Sequence, residues 1–180
     1  MQAHLNRYMD DEVIVNPKTE QYYLEDLHVG QRFTSGSYVM EAARIKEFAA
    51  EFDPQAFHLD ENVAQTSVFK GLAASGWHTA AVAMRLLVTG DLRIASGIVG
   101  LGGEIAWPRP TRPGDVLHIE SEIVAITPSQ SKPQQGIVTV RSTMLNQHDE
   151  AVYILTAKLW CQSARCNCKR GFIFKVFVDS

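Results

Sequence analysis

The spacing of apolar residues changes along the sequence, and this change constrains the fold most. After a first strand-like segment, 32–39, the apolar residues recur at helical spacing up to Val88, and after Gly90 they alternate with polar residues, as in half-buried strands. Helices followed by a run of consecutive strands are typical of an α+β domain, in which one buried helix packs against an antiparallel sheet. A chain of 180 residues is long enough for one such domain with a sizeable core, and it contains no internal repeat.

The helical half contains three segments of different character. Residues 41–52 are amphipathic, and Pro54 ends the helix that they predict. Residues 59–65 suit a short helix capped by Asp60. Residues 75–88 are apolar on nearly all sides, which predicts a helix that is buried over most of its surface. We expect one side of this helix to be lined by Trp77, Ala80, Ala81, Met84, Leu87 and Val88.

Most of the remaining chain reads as strands. The segments with alternating or β-branched patterns are 32–39, 97–107 (the weakest), 116–126, 136–145 and 151–160. A polar hairpin turn is expected at 146–150. The folded domain therefore spans residues 22–162, preceded by an arm, residues 1–21, with little periodicity. The structure of the tail, 163–180, stays open, because its apolar run is either an added edge strand or an accident of the end of the gene.

Composition excludes several classes of protein. A formal net charge of -3 argues against nonspecific nucleic-acid binding, and no apolar run reaches membrane-spanning length. The N-terminus is polar and does not resemble a secretory signal. The three cysteines, Cys161, Cys166 and Cys168, are an odd, clustered set, which favours a reducing compartment and predicts a cytoplasmic protein. Without a nearby histidine they make an incomplete ligand set, so we predict no metal site.

The candidate site combines two separate segments. Asp53 and His58 lie five residues apart on a short, kinked segment, and Ser75-Gly76 lies where the long helix begins. Proton chemistry next to a carbonyl requires a base, an acid and a backbone that stabilises an anion, and this set supplies all three. Each residue also has an ordinary interpretation. Asp53 could end the preceding helix, His58 could be a half-buried histidine, and Gly76 could allow close packing.

Three motifs carry a resemblance to a known family. Residues 48–58 (FAAEFDPQAFH) resemble the hydratase motif of the MaoC-like dehydratases, which are hotdog-fold proteins. Residues 71–79 (GLAASGWHT) are similar to the family's entry to its central helix, and residues 107–115 (WPRPTRPGD) to its proline-rich crossing. The likeness covers roughly Tyr22 to Gln162. It implies a curved antiparallel sheet wrapped around the long helix, and a homodimer with the two sheets joined edge to edge.

The resemblance also implies an activity. The (R)-specific enoyl-CoA hydratases of this family add water across a trans-2-enoyl-CoA double bond, or remove it, with the coenzyme A thioester as substrate and no metal or redox cofactor. Asp53 and His58 match the pair that holds the water, and Gly76 matches the glycine whose N–H faces the thioester oxygen. The residues that we expect around the substrate are Gln55, Phe57, Ser75, Trp77, Met84 and Arg109.

The chain departs from the family pattern at three places. Gln55-Ala56 replaces Asn-Pro, with the proline moved to Pro54, and Ser75 replaces a histidine before the glycine. Met84 corresponds to a serine of the family helix. These departures keep two alternatives open: an acyl-CoA thioesterase, since other hotdog proteins hydrolyse thioesters, and a non-catalytic acyl-CoA-binding protein.

Other polar residues are weaker candidates. His78 could reach the pocket, although a packed core histidine is the commoner case. Arg85, Arg112 and Lys132 join Arg109 as basic residues that could meet the phosphates of coenzyme A. Asp115 is expected to serve the turn that follows Pro113-Gly114.

Overall fold

The computed structural model describes residues 21–164, and these residues confirm the α+β class. The strands are β1 (Arg32–Thr34), β2 (Tyr38–Val39), β3 (Val99–Ala106), β4 (Val116–Pro128), β5 (Gln135–Leu145) and β6 (Ala151–Gln162). The α-helices are α1 (Ala42–Phe52), α2 (Ala56–Leu59), α3 (Glu61–Thr66) and α4 (Gly76–Thr89). The predicted arm, apart from its last residue, and nearly all of the tail, with Cys166 and Cys168, lie outside the described residues. No helix within 21–164 is long and apolar enough to cross a membrane.

All strand pairs in the six-stranded sheet are antiparallel, and the strand order is β1-β4-β5-β6-β3, with β2 paired to β4. The polar hairpin predicted between β5 and β6 is confirmed, since Asn146 N–H donates to the Glu150 carbonyl at 3.0 Å. Within residues 21–164, strand β3 pairs only with β6 and forms one edge of the sheet. All eight of its residues are exposed. The sheet is therefore open along β3.

Helix α4 lies against the inner face of this sheet, as in the hotdog fold. Its buried side chains form the centre of the larger core cluster with side chains of α1 and of β4 to β6. A second cluster lies under β1 and the ends of β5 and β6, and it contains the fully buried Cys161. Burial raises the pKa of the Cys161 thiol to about 11, so this cysteine is an unreactive part of the core.

The prediction that α4 is buried over most of its surface is wrong within residues 21–164, although Leu87 on the predicted apolar side is buried. Trp77, Met84 and Val88 are 62%, 45% and 57% exposed, and Ala81 between them is also exposed. The side facing the core instead carries His78, Thr79, Val82, Ala83, Leu86 and Leu87. Because the helix is apolar on both sides, its periodicity does not show which side the sheet covers. The outer apolar side is left without a partner among residues 21–164.

The predicted strand over 32–39 is two short strands separated by a break. Both pair with β4, but β1 lies opposite Glu120–Glu122 and β2 lies opposite Val116–Leu117. At the break, the Ser35 hydroxyl accepts the Ile119 N–H at 2.9 Å, a bond that a ladder carbonyl would otherwise accept. A side chain that replaces a backbone partner ends the regular ladder.

Between α1 and α4 the chain makes two short helices. Pro54 ends α1 as predicted, and the Asp60 carboxylate caps α3 by accepting the N–H groups of Asn62 and Val63. The single turn α2 was not predicted. It begins immediately after Gln55, and it carries His58 back towards the end of α1. This turn is what places the candidate histidine beside the candidate aspartate.

Candidate active site

Asp53 lies at the C-terminal end of α1, with a side chain that is 19% exposed. The Gln55 side-chain amide donates to its Oδ1 at 2.7 Å. A hydrogen bond from the Ser75 side chain is the main cause that lowers the pKa of Asp53 below its ordinary value, with Gln55 and His58 adding to it against the opposing effect of burial. The carboxylate is therefore ionised at neutral pH and held in one orientation.

His58 is buried, and its two ring nitrogens have different partners. Nδ1 lies 2.7 Å from the carbonyl oxygen of Ala73, and Nε2 lies 3.5 Å from Oδ2 of Asp53. Since a carbonyl oxygen can only accept, Nδ1 must carry a hydrogen. In the neutral ring, Nε2 then presents a lone pair towards the carboxylate. The rings of Phe57 and Phe69 pack against the imidazole, with centroids 4.6 and 5.9 Å away.

The N-terminus of α4 supplies the third component. Ser75 is the N-cap, and its hydroxyl accepts the Trp77 N–H at 3.2 Å. The Gly76 N–H has no acceptor within residues 21–164, as expected for the first turn of a helix, where the positive end of the helix dipole also lies. This N–H is available to a ligand oxygen.

Gly76 also allows a close approach. The Trp107 indole N–H donates to the Gly76 carbonyl at 3.0 Å, and a Cβ placed on Gly76 would lie 3.1 Å from Cε2 of Trp107. The absence of a side chain at Gly76 therefore allows this close packing. At the same time, the Gly76 N–H has no acceptor within residues 21–164.

These groups share one cavity of about 490 Å³. Its lining residues are Asp53, Gln55, Phe57, His58, Phe69, Ala74, Gly76, Trp77, Thr79, Trp107, Pro108, Arg109, Pro110 and Thr111. The predicted residues Asp53, Gln55, Phe57, His58, Gly76, Trp77 and Arg109 are thus brought together. Ser75 is fully buried behind them, and its side chain hydrogen-bonds to the Asp53 carboxylate.

Met84 is not brought to this cavity. It lines a second cavity of about 340 Å³ between α4 and strands β3, β5 and β6. Met84, which we expect around the substrate, therefore lines a different cavity from Asp53 and His58, and its role stays a prediction. Two turns of helix separate Met84 from the free N–H groups of α4, and those turns carry it along the sheet and away from α2.

The four basic candidates have different positions. Arg109 lines the first cavity, is half exposed, and lies with its Nε 3.4 Å from Oε1 of Glu150. Arg112 instead donates to the carbonyls of Phe69, Gly71 and Leu72, and it fixes the segment that leads into α4. Arg85 and Lys132 do not line the first cavity as the described residues form it.

Two further polar candidates have structural positions. His78 is buried, and its ring stacks on Phe48 with centroids 4.7 Å apart. It does not line the first cavity as described. Asp115 serves its turn as predicted, because its Oδ2 accepts the Arg112 N–H at 2.7 Å.

Some residues of the site were not found from the sequence. Trp107 forms a wall next to Gly76, and the hydroxyls of Thr79 and Thr111 join at 3.1 Å behind it. The available signal for Thr79 was its position one turn after Ser75 on the same side of the helix. In residues 21–164, no group of three or more His, Cys, Asp or Glu side chains could hold a metal ion.

Comparison with known proteins identifies the chains that this one is similar to. Residues 27–155 match the family model of the FAS1-like dehydratase domain region. The chain is 58% identical to the MaoC-like dehydratase of Rhodospirillum rubrum, with a TM-score of 0.78 over 79% of this chain and 97% of that one. The chain belongs to the FAS1-like and MaoC-like dehydratase family. The hotdog fold is thereby confirmed.

Two other relatives extend the family likeness. YdeM of Bacillus subtilis strain 168, an uncharacterized protein, is 31% identical over 134 residues, which is 72% of this chain and 92% of YdeM. The (R)-hydratase of A. caviae, involved in polyhydroxyalkanoate (PHA) biosynthesis, is 27% identical, with a TM-score of 0.60 over 74% of this chain and 96% of that one. The chain is thus a member of a hydratase and dehydratase family. The matches span nearly the full length of these relatives.

Proposed function

We propose that this protein is an (R)-specific enoyl-CoA hydratase, or in the reverse direction a 3-hydroxyacyl-CoA dehydratase. One observation carries the proposal. A carboxylate and an imidazole face each other in the same cavity as a backbone N–H that has no acceptor within residues 21–164. Those are the groups that water addition next to a thioester carbonyl requires. The (R) stereochemistry and the coenzyme A carrier are proposed from the family likeness.

In the proposed reaction, a water molecule is held between Oδ2 of Asp53 and Nε2 of His58. Both atoms are acceptors when His58 is neutral, so the water donates a hydrogen to each. One of the pair removes a proton as the water oxygen forms its bond to C3 of the enoyl group. The C2–C3 π electrons then move towards the thioester carbonyl, and the pair returns one proton to C2. Every atom of the water ends on the product.

The negative charge that develops on the thioester oxygen is met by the Gly76 N–H. A preorganised donor of this kind contributes on the order of 3–4 kcal/mol to lowering the barrier, and the helix dipole behind it adds in the same direction. The Trp107 indole donates to the carbonyl of the same glycine, in the next peptide unit, and thereby helps to hold the Gly76 backbone in place.

The departures from the family motif are compatible with activity. Gln55 places its amide on Asp53 at 2.7 Å, so it holds the catalytic carboxylate as a positioning residue. Ser75, the N-cap of α4, holds the same carboxylate through a second side-chain hydrogen bond. Arg109, at the half-exposed side of the cavity, is proposed to meet a phosphate of coenzyme A, in competition with its ion pair to Glu150.

The reaction can be tested with purified protein and short- and medium-chain 2-enoyl-CoAs. Hydration removes the absorbance of the conjugated thioester and releases no thiol. Release of free thiol from acyl-CoA, detected with a thiol reagent, would instead show a thioesterase. Binding of enoyl-CoA with neither change would show a non-catalytic binding protein.

We also propose that a second copy of this chain covers the outer side of α4. That side is apolar, with Trp77, Ala81, Met84 and Val88 exposed, and the adjacent edge strand β3 has backbone groups that no strand within 21–164 pairs. An open edge next to an exposed apolar patch is typical of an association surface. Pairing of two β3 strands would join the two sheets into one.

A further inference from the structure

The second cavity lies next to the first, because residues that line the two are neighbours at three places. On α4, Thr79 lines the first cavity and the next residue, Ala80, lines the second. Where β3 ends, Ile105 lines the second cavity and Trp107 the first. The rings of Trp107 and Tyr153 then meet across the boundary, with centroids 6.1 Å apart. A thioester held at Gly76 therefore has the second cavity as the adjacent space for its acyl chain.

Most of the second cavity is apolar, but Tyr153 places a phenol in its wall. Tyr153 is 3% exposed as a residue, and its hydroxyl makes no hydrogen bond within residues 21–164, yet it is not one of the fully buried side-chain atoms without a partner there, so it is accessible from the cavity. A tyrosine hydroxyl that lines a cavity without a protein partner can hydrogen-bond to water or to a ligand there. Burial raises the pKa of Tyr153, so the group remains a neutral donor at physiological pH.

Ser142 is the second polar group of this wall. It lies opposite Leu155 in the β5–β6 pairing, and Tyr153 lies opposite Met144, so Ser142 and Tyr153 are diagonal neighbours on one face of the sheet. The Ser142 hydroxyl lies 2.8 Å from that of Ser121, and this bond uses one of the two hydroxyl hydrogens. When Ser121 donates, the hydrogen of Ser142 is free to point into the cavity.

The cavity also lacks charge. Its described lining contains no Lys, Arg, His, Asp or Glu side chain. An ionised group placed there would lose its hydration without a counter-charge, which is far more costly than placing a neutral oxygen opposite two hydroxyls. Such a wall would favour a neutral acyl chain over one with a carboxylate, and the accessible Tyr153 hydroxyl would favour a chain that carries an oxygen atom.

We infer that Tyr153 and Ser142 form a specificity site for an uncharged oxygen substituent, such as a hydroxyl, ether or keto group, on the acyl chain of the substrate. The site lies beyond the groups that handle the water, so it selects the acyl chain and takes no part in the proton transfers. This inference rests on the proposed function only in taking the ligand to be an acyl thioester.

The test compares matched acyl-CoAs of increasing chain length, in which a terminal methyl is replaced by a hydroxyl. Turnover is measured with the 2-enoyl forms, and binding with the saturated forms by calorimetry. At one chain length, the wild-type protein should prefer the hydroxyl form by about tenfold in kcat/KM and in Kd. Tyr153→Phe, which keeps the ring on Trp107, should reduce this ratio to near one, and Ser142→Ala should reduce it in part.

Tyr38→Phe is the matched control, because Tyr38 is a half-buried tyrosine that lines neither cavity as described. It should keep the wild-type preference. Equal or better use of the alkyl form at every chain length, or failure of both saturated forms to bind, would overturn the inference. Preferential binding of the hydroxyl form without turnover would sustain the specificity site while refuting the proposed hydratase.

Discussion

The Nε2 atom of His58 lies 3.5 Å from Oδ2 of Asp53. The opposite nitrogen of the same ring is tied to the Ala73 carbonyl. The segment before α4 therefore determines which nitrogen of His58 faces the carboxylate, while Ser75, at the start of the same helix, orients the carboxylate itself. The start of α4 and the segment before it thus orient both the carboxylate and the imidazole.

This arrangement predicts the tautomer of His58. Because the Ala73 carbonyl accepts at 2.7 Å, neutral His58 should carry its hydrogen on Nδ1. A long-range ¹H–¹⁵N correlation spectrum of the histidine-labelled protein above pH 8 would show this form directly. A neutral ring protonated on Nε2 would contradict the geometry, since a lone pair would then face the carbonyl.

Gly76→Ala should destabilise the protein and disturb the cavity wall. The added Cβ would lie 3.1 Å from the Trp107 ring, so the indole must shift. Overpacking of this kind costs roughly 1–3 kcal/mol in the free energy of unfolding, which is set against the roughly 0.5–1 kcal/mol that alanine gains over glycine in a helix, and urea denaturation measures the net change. Gly36→Ala is the control, because nothing lies within 4 Å of the added atom. Equal stability of both variants would refute the close contact.

His78 should make the protein sensitive to acid. Burial lowers its pKa, with Arg44 adding to the effect, from an ordinary value of 6.5. The unfolded chain therefore binds a proton more readily than the folded one, so this contribution to stability is present above pH 6.5 and declines as the pH falls below it. His78→Phe should lose less stability than the wild type between pH 7.5 and about pH 5 in urea denaturation. Equal losses would show that His78 does not contribute.

Val88→Lys should weaken self-association. Val88 is 57% exposed on the outer side of α4 and lines neither cavity as described. A lysine buried there by a second copy would be an uncompensated charge, at a cost of several kcal/mol. Sedimentation should then give a wild-type dimer and a monomeric variant. Thr89→Lys, one residue further along, is the control and should remain a dimer. A wild-type monomer at micromolar concentration would refute the proposed interface.

Much of the fold follows from the sequence because period and propensity act locally. The bounds of α1 and α4 and of the strands β4 to β6 come from patterns that no distant contact overrides, and the Asp60 cap is a local hydrogen bond. The buried side of α4 could not be found in this way. Both of its sides are apolar, and only the position of the sheet distinguishes them.

The site was predicted in part for a similar reason. Asp53, His58 and Gly76 carry recognisable motifs, but their distances depend on the single turn α2, which the sequence did not reveal. Met84 was assigned to the same pocket by its position in a motif, and the direction of α4 across the sheet separates them. The role of Trp107 depends on a contact over 31 residues of chain, which has no local signal.

The most direct test of the account is the rate of enoyl-CoA hydration by Asp53→Asn. This change keeps the shape of the side chain and removes its charge, and it should lower kcat by about 10²–10⁴-fold. Asp60→Asn is the same change at an exposed helix cap, where asparagine serves equally well, and it should leave kcat unaltered. Wild-type hydration with an unchanged rate in Asp53→Asn would contradict the central claim.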